Sequence, residues 1–421
     1  VRRLSPFLLL AASLVGSCGP SGHRVDRPVA DGQGEWVAFV GATVATSPDA
    51  APIRDGIVLL HGRKIAAVGP RGAVEVPRGA REIDARGTTI TAGFWNAHVH
   101  FAGPAFADVA HAPAPTLAGA LSEMLGRWGF AHVFDTGSDI RQTAVLKARI
   151  ERGEVVGPSV RTTGAPFVAV GGQPVYIPFP LPQLPSPAAA IEMVRAELDH
   201  GADGIKLMTA SVVANPPPPV MPVPIVRAVT ETAHARGVLV FAHPTNRDGV
   251  IAARDGGVDV LAHTAPASGP WSAEDARALV AAKMSLVPTL SLWRLELTPI
   301  SADLAERYER DAIEQVRAFA AAGGTLLFGT DVGYRPEVDT TAEHTLLACA
   351  GLSFAAHLAM LTTAPAARFG ARQTGTIAPS MNADLVVLEG DATTDPAAFA
   401  HVRCTLRDGV VIFAAAAARC R

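Results

Sequence analysis

From residue 91 to residue 370 the chain alternates two textures. Short apolar runs stand between longer stretches in which apolar residues recur every three or four positions. These are the patterns of buried strands and amphipathic helices. One strand-like run ends at His98. Others fall at 130–135 (FAHVFD), 159–164 (SVRTTG), 202–207 (ADGIKL), 238–243 (VLVFAH), 259–263 (VDVLAH), 284–288 (MSLVP) and 325–330 (TLLFGT), making eight. The helical stretches between them carry their own boundary signals. In "SADLAERYERDAIEQVRAFAAAGG", Ser301 reads as the cap and Gly323–Gly324 as the stop. "SPAAAIEMVRAELDHG" and "SAEDARALVAAK" follow the same plan. Alternation of this kind predicts an α/β fold, a (β/α)8 TIM barrel.

The flanks differ. Residues 35–90 read as short strands joined by turns, and residues 371–421 repeat that texture, with "RDG" at 407–409 as a hairpin turn. The two flanks are expected to pair into one small β-sandwich beside the barrel. Two proline-rich segments, "GGQPVYIPFPLPQLPSP" and "NPPPPVMPVP", follow the third and fourth strands. Both are expected to stand as stiff loops walling the mouth.

Composition narrows the partners. Hydrophobic residues make up 49% and charged residues 18%, enough for a large core, and the net charge is −3. With no basic block after the N-terminus, nucleic acid is excluded and a small-molecule substrate expected. Nothing in the pattern sets an oligomeric state. Residues 1–18 read as an export signal: Arg2 and Arg3, then an apolar run too short to span a bilayer, then "VGSC". Small residues before Cys18 resemble a bacterial lipobox, which would lipidate that cysteine and hold the protein in the cell envelope or periplasm. An ordinary secretory signal cleaved nearby is the alternative. Residues 19–34 then serve as a tether, so contact with a membrane is expected only through the lipid anchor. The remaining cysteines form no C-x-x-C. Cys349 is expected as a small buried apolar residue, and Cys404 and Cys420 as able to pair in an oxidising compartment.

The chemistry gathers at strand ends. His98 and His100 are alternate residues of one strand and so share a face. Lys206 in "DGIKLMTA", His243 in "LVFAHPTN", His263 in "VDVLAHTAP" and Asp331 in "LLFGTDVGY" each end a later apolar run. In a barrel all six would meet at the C-terminal face, where active sites lie. The chain has only four lysines, at 64, 147, 206 and 283. An unpaired lysine inside an apolar strand is costly. Tyr176, Arg335 and His344 follow the third and eighth strands and are candidate substrate contacts.

The order H-x-H, Lys, His, His, Asp, with "AGFWNAHVHF" and "NADLVVLEGD" on the flanks, resembles the amidohydrolase superfamily. "FAHPTNRDGV…GGVDVLAHTAP" is similar to its imidazolonepropionase-like, or metal-dependent dipeptidase, branch. The resemblance spans about residues 35–413. It implies two divalent metal ions, with zinc suited first to imidazole and carboxylate donors. His98, His100 and Asp331 would hold one ion, His243 and His263 the other. Lys206, carbamylated by CO2, would bridge them. The implied reaction is cleavage of an amide-type C–N bond in a dipeptide, N-acyl amino acid or cyclic amide by a bridging hydroxide. Asp331 would move the proton. Lactone or phosphoester hydrolysis on the same site stays open. So does a non-catalytic, metal-retaining binding barrel, although such a descendant would be expected to lose Lys206 or Asp331. An aldolase-type Schiff base on Lys206 would leave five metal-type ligands unexplained. One departure is visible: members of the superfamily often carry Asp two residues before H-x-H, where this chain has Asn96.

Overall fold

The computed structural model describes residues 34–211, 217–416 and 420. The export signal, Cys18 and nearly all of the tether lie outside the described residues. Among those described, no helix is long and apolar enough to cross a membrane.

Residues from Glu35 onward form one compact unit. It begins with β1 (Trp36–Val44), β2 (Ile53–His61), β3 (Lys64–Pro70), β4 (Arg81–Asp84) and β5 (Thr88–Ala92). The central strands follow: β6 (Phe94–Val99), β7 (Phe130–Asp135), β8 (Ser159–Thr162), β9 (Phe167–Ala169), β10 (Gln183–Leu184), β11 (Gly204–Met208), β12 (Leu239–His243), β13 (Val260–Leu261), β14 (Ser285–Leu286) and β15 (Thr325–Leu326). The chain closes with β16 (Leu385–Glu389), β17 (Val402–Arg407) and β18 (Val410–Ala414).

Each of the eight expected central strands is present. They pair in parallel as β6-β7-β8 and as β10-β9-β11-β12-β13-β14-β15, with helices between successive strands. The short pair β9 and β10 was not expected: β9 lies just before the first proline-rich loop and β10 is a two-residue strand inside it. Two seams join the sheets by backbone hydrogen bonds. Ala97 N–H donates to Phe328 O at 2.7 Å and His100 N–H to Val332 O at 2.8 Å. On the other side Asp203 N–H donates to Thr162 O at 2.7 Å. Alternation decides which side chains go where. Phe241 of β12 points to an interior cluster with Trp95, Phe134, Val287, Leu327 and Phe369, while its neighbours Val240 and Ala242 face the helical layer. The helix starts follow the sequence signals. Ser186, Ser272 and Ser301 each accept from the backbone N–H three residues on, and Ser272 with Asp275 completes a capping box.

The flanks meet in one hydrogen-bonded network of eight strands. Its order is β18-β17-β16-β5-β1-β2-β3, with β4 also on β1. The join is antiparallel between β5 and β16, with Ile90 opposite Val387. Phe39, Leu60, Ile90, Leu385 and Cys404 share its core, and Cys404 is disulfide-bonded to Cys420. Cys349 is exposed rather than buried, because it falls in the last turn of the helix Thr341–Cys349, on the face away from Glu343, His344 and Leu347. "NADLVV" proves to be structural: buried Asp384 accepts from His132 of β7 at 3.1 Å and from the Asp408 N–H at 2.6 Å. It ties the central sheet to the flank.

Candidate functional site

A cavity of about 380 Å³ opens at the C-terminal ends of the central strands. His98, His100, Lys206, His243, His263 and Asp331 all line it. Four imidazoles lie side by side: the ring centres of His100 and His98 are 5.2 Å apart, those of His98 and His263 4.6 Å, and those of His263 and His243 4.6 Å. Asp331 Oδ1 lies 2.8 Å from His100 Nε2 and 3.2 Å from His98 Nε2. The ligand atoms of these three residues all fall within 4.8 Å of one another.

Local backbone explains how Asp331 reaches its partners. Its φ is +63°, the left-handed region that Asp tolerates better than most residues. Two residues on, Gly333 (φ +95°) lies so close against the His100 carbonyl that a Cβ would overlap it. That close approach lets Val332 bridge Val99 in parallel.

Surrounding groups fix the imidazole tautomers. Thr289 Oγ1 donates to Pro288 O at 2.8 Å, so it accepts from His263 Nδ1 at 2.6 Å and leaves His263 Nε2 with a free lone pair. Thr289 holds φ +46°, strained for a β-branched residue, to place that hydroxyl. His100 Nδ1 donates to Gly137 O at 3.3 Å, which frees Nε2 toward Asp331 and His98. Behind His100, buried Asp135 accepts from Ser138 Oγ at 2.6 Å and Thr162 Oγ1 at 2.7 Å, and Ser138 Oγ accepts from the Phe101 N–H. Asn96 contacts no ligand atom. It donates to Thr330 Oγ1 at 2.8 Å and accepts from the His98 N–H at 3.1 Å, so it braces the strand.

The electrostatics favour neutral imidazoles around one anion. Burial first, then the Lys206 charge, pushes His98 down to about 3. The same two causes depress His243, and burial followed by its histidine neighbours depresses His263. Burial pushes the Lys206 amine down to about 7 against the pull of Asp331 and Asp135. Among the described residues Lys206 has no hydrogen-bond or ion-pair partner. Burial would raise Asp331, but the adjoining His98 and His100 imidazoles outweigh it and hold the carboxyl well below its usual range. Unprotonated ring nitrogens converging on a carboxylate form a donor set that fits a divalent cation.

The three candidate substrate contacts divide. Tyr176 lines the cavity, with its hydroxyl 3.5 Å from His243 Nε2. Arg335 does not line it. Its guanidinium turns to Glu337 Oε2 at 3.1 Å and Glu296 Oε1 at 3.7 Å. His344 is fully buried away from the mouth, stacked on Phe328 and Phe399, and its Nδ1 pairs with His357 Nε2 at 2.8 Å. Following the eighth strand in sequence does not put a residue over its tip: the helix Thr341–Cys349 turns His344 inward. The first proline-rich loop walls the cavity through Tyr176, Ile177, Pro178, Phe179 and Leu181. No described residue of 217–222 does, so the second loop lacks that role there.

Other wall residues carry no sequence motif. Leu292, Trp293, Glu296 and Leu297 come from the helix Leu290–Leu297 after β14. Its first N–H groups, on Leu290 and Ser291, donate to the buried Glu343 carboxylate at 2.8 Å each. Tyr308 and Tyr334 complete the wall. Only Tyr334 had a usable signal, three residues beyond Asp331.

Comparison with known proteins settles the family. Residues 89–412 match the amidohydrolase family model. The chain belongs to the amidohydrolase family. It is a hydrolase acting on carbon–nitrogen bonds. Solved structures share its TIM-barrel-type α/β fold. A prolidase candidate from Bifidobacterium longum is 24% identical with a TM-score of 0.76, over 90% of this chain and 94% of that one. An Xaa-Pro dipeptidase with bound methionine is 20% identical with a TM-score of 0.76, over 90% and 99%. The ochratoxinase of A. niger is 18% identical with a TM-score of 0.73, over 91% and 96%. No curated protein sequence matches the chain. As an amidohydrolase the chain carries a cluster, His98, His100 and Asp331, fit to bind a metal ion.

Proposed function

We propose that this amidohydrolase is a binuclear metal enzyme that cleaves an amide-type C–N bond, and that its eight parallel strands form one closed (β/α)8 barrel. The seam hydrogen bonds from Ala97 to Phe328 and from Asp203 to Thr162 support closure. One observation carries the chemistry: four imidazoles, a carboxylate and an unpaired buried amine line one cavity floor. His98, His100 and Asp331 would hold one ion, His243 and His263 a second. Lys206 would bridge them once its uncharged amine has added CO2, losing a proton to become a carbamate anion. Two divalent ions, zinc first, would supply Lewis acidity to the scissile carbonyl and acidify the attacking water.

The protein's own groups do the rest. Asp331 takes the proton from the attacking water and gives it to the leaving amine. The Tyr176 hydroxyl is placed to hold the carbonyl side of the substrate. Its phenol is pushed up by burial, so it stays a donor. Ile177, Phe179 and Trp293 exclude water from the bond being broken. No observation favours a lactone or phosphoester over an amide, and retention of both Lys206 and Asp331 speaks for catalysis over a binding barrel.

We also propose export and lipid anchoring through Cys18, supported by the small residues before it and the polar stretch after it. The test of the metal centre is elemental analysis of protein purified without chelator and supplied with zinc and bicarbonate, alongside a screen of amides. Two equivalents per chain are expected. A reproducible single equivalent would count against the binuclear centre.

A further inference from the structure

We infer that the enzyme selects amides whose end remote from the scissile bond is apolar and uncharged, and rejects those carrying a free carboxylate there. The inference rests on the hydrolase reading and narrows its substrate class. Beyond the metal-ligand floor, the cavity walls are formed largely by Tyr176, Ile177, Phe179, Trp293, Leu297 and Tyr334. Among the described residues the only charged side chain lining those walls is Glu296, an anion.

A carboxylate on the substrate would therefore meet no cation. The nearest candidate, Arg335, is 12% exposed and held by Glu337 and Glu296 outside the lining. Residues 212–216, which follow β11, read VVANP and contain no basic side chain. On the wall side Glu296 meets a phenol. Tyr334 beside it is pushed up, first by burial and then by the Glu296 charge, so its phenol stays protonated and donates. The apolar character continues outward. Val170, Val175, Phe179 and Ile300, on or next to the lining segments, are each more than half exposed. A carboxylate entering this cavity would lose water without gaining a partner, and would face like charge.

The experiment compares two anilides with the same phenylacetyl group. One releases 4-methylaniline and the other 4-aminobenzoate, and kcat/KM for each is read from the arylamine released by metal-loaded enzyme. A second pair moves the carboxylate to the acyl side. The neutral member of each pair is expected to be favoured by about tenfold or more, the ratio that 1.4 kcal/mol sets. Glu296→Gln is expected to narrow that ratio. Binding of 4-methylaniline and 4-aminobenzoate, followed by tryptophan emission in metal-loaded and metal-free protein, reads the same preference without turnover. Equal or better use and binding of the carboxylates, or a ratio untouched by Glu296→Gln, overturns the inference. If neither anilide turns over while the neutral ligand still binds more tightly, the selectivity stands and the amide-cleaving reading proposed for the site falls.

Discussion

Replacing Lys206 with methionine should make the metal-free protein more stable and the metal-loaded protein inactive. Methionine matches the length of the lysine stem and is apolar, so packing is kept while the buried amine goes. Burial drives that amine from 10.5 to about 7. At 1.36 kcal/mol per unit, holding a cation there costs the fold on the order of 5 kcal/mol. The sign follows from linkage. Between pH 7 and 10.5 the unfolded chain holds the Lys206 proton and the folded chain does not, so wild-type stability rises with pH across that window. The variant lacks this slope. Its advantage should be several kcal/mol at pH 6–7 and should fade toward pH 10. Denaturant unfolding of chelator-treated protein at several pH values reads both effects, and comparing two proteins that share every other titrating group isolates Lys206. With zinc and bicarbonate present the order should reverse, because the variant has no amine to carbamylate and cannot supply the bridging anion. A metal-free variant less stable than wild type, or one with a parallel pH slope, would refute the account of Lys206 as a buried amine held for the metal centre.

Other outcomes follow from single contacts. Asp331→Asn should cut kcat by about 10²–10⁴-fold with the fold intact, because a near-isosteric amide cannot carry the proton; near-full activity with metals retained would move the proton to another base. Glu343→Ala should cost about 1–3 kcal/mol by orphaning the Leu290 and Ser291 N–H groups. It should also raise KM, since Trp293 and Glu296 ride on that helix; an unchanged KM and melting point would show the helix anchored elsewhere. Burial raises the Glu343 carboxyl from 4.5 to about 7. Its contribution to stability is full below pH 4.5 and lost as the pH rises through 7, and Glu343→Gln should flatten that part of the unfolding profile. Mass spectrometry of the mature N-terminus should find lipidated Cys18; an unmodified terminus elsewhere would end the anchoring proposal.

The metal-type ligands were legible because each stands in or beside an apolar run, most of them at its end. A strand buried on both faces is written as a short hydrophobic word, and the polar residue closing it has to sit at the rim. His243 closes such a word, His98 and His263 stand within two residues of the end of theirs, and Lys206 sits inside β11, yet the structure gathers all four on one cavity. One wall, the first proline-rich loop with Tyr176, was legible; the wall opposite was not, because no local rule places it. Trp293 and Glu296 belong to a helix that reads as ordinary amphipathic sequence. Its aim is fixed by Glu343, about fifty residues later in the chain, and by the strained Thr289 before it. His344 and Arg335 mark the same boundary from the other side. Both lie just beyond the eighth strand, yet one is drawn inward by Phe328 and Phe399 and the other is captured by Glu296 and Glu337. Proximity in sequence placed them near the mouth, but competing packing and charge decided where they point. Hence the ligand set was readable from single segments. The substrate's environment depends on pairs of segments meeting, such as the Tyr176 loop against Tyr334, where the rings pack edge to face at 5.6 Å. That contact exists only after the strands have brought both loops to one end of the sheets.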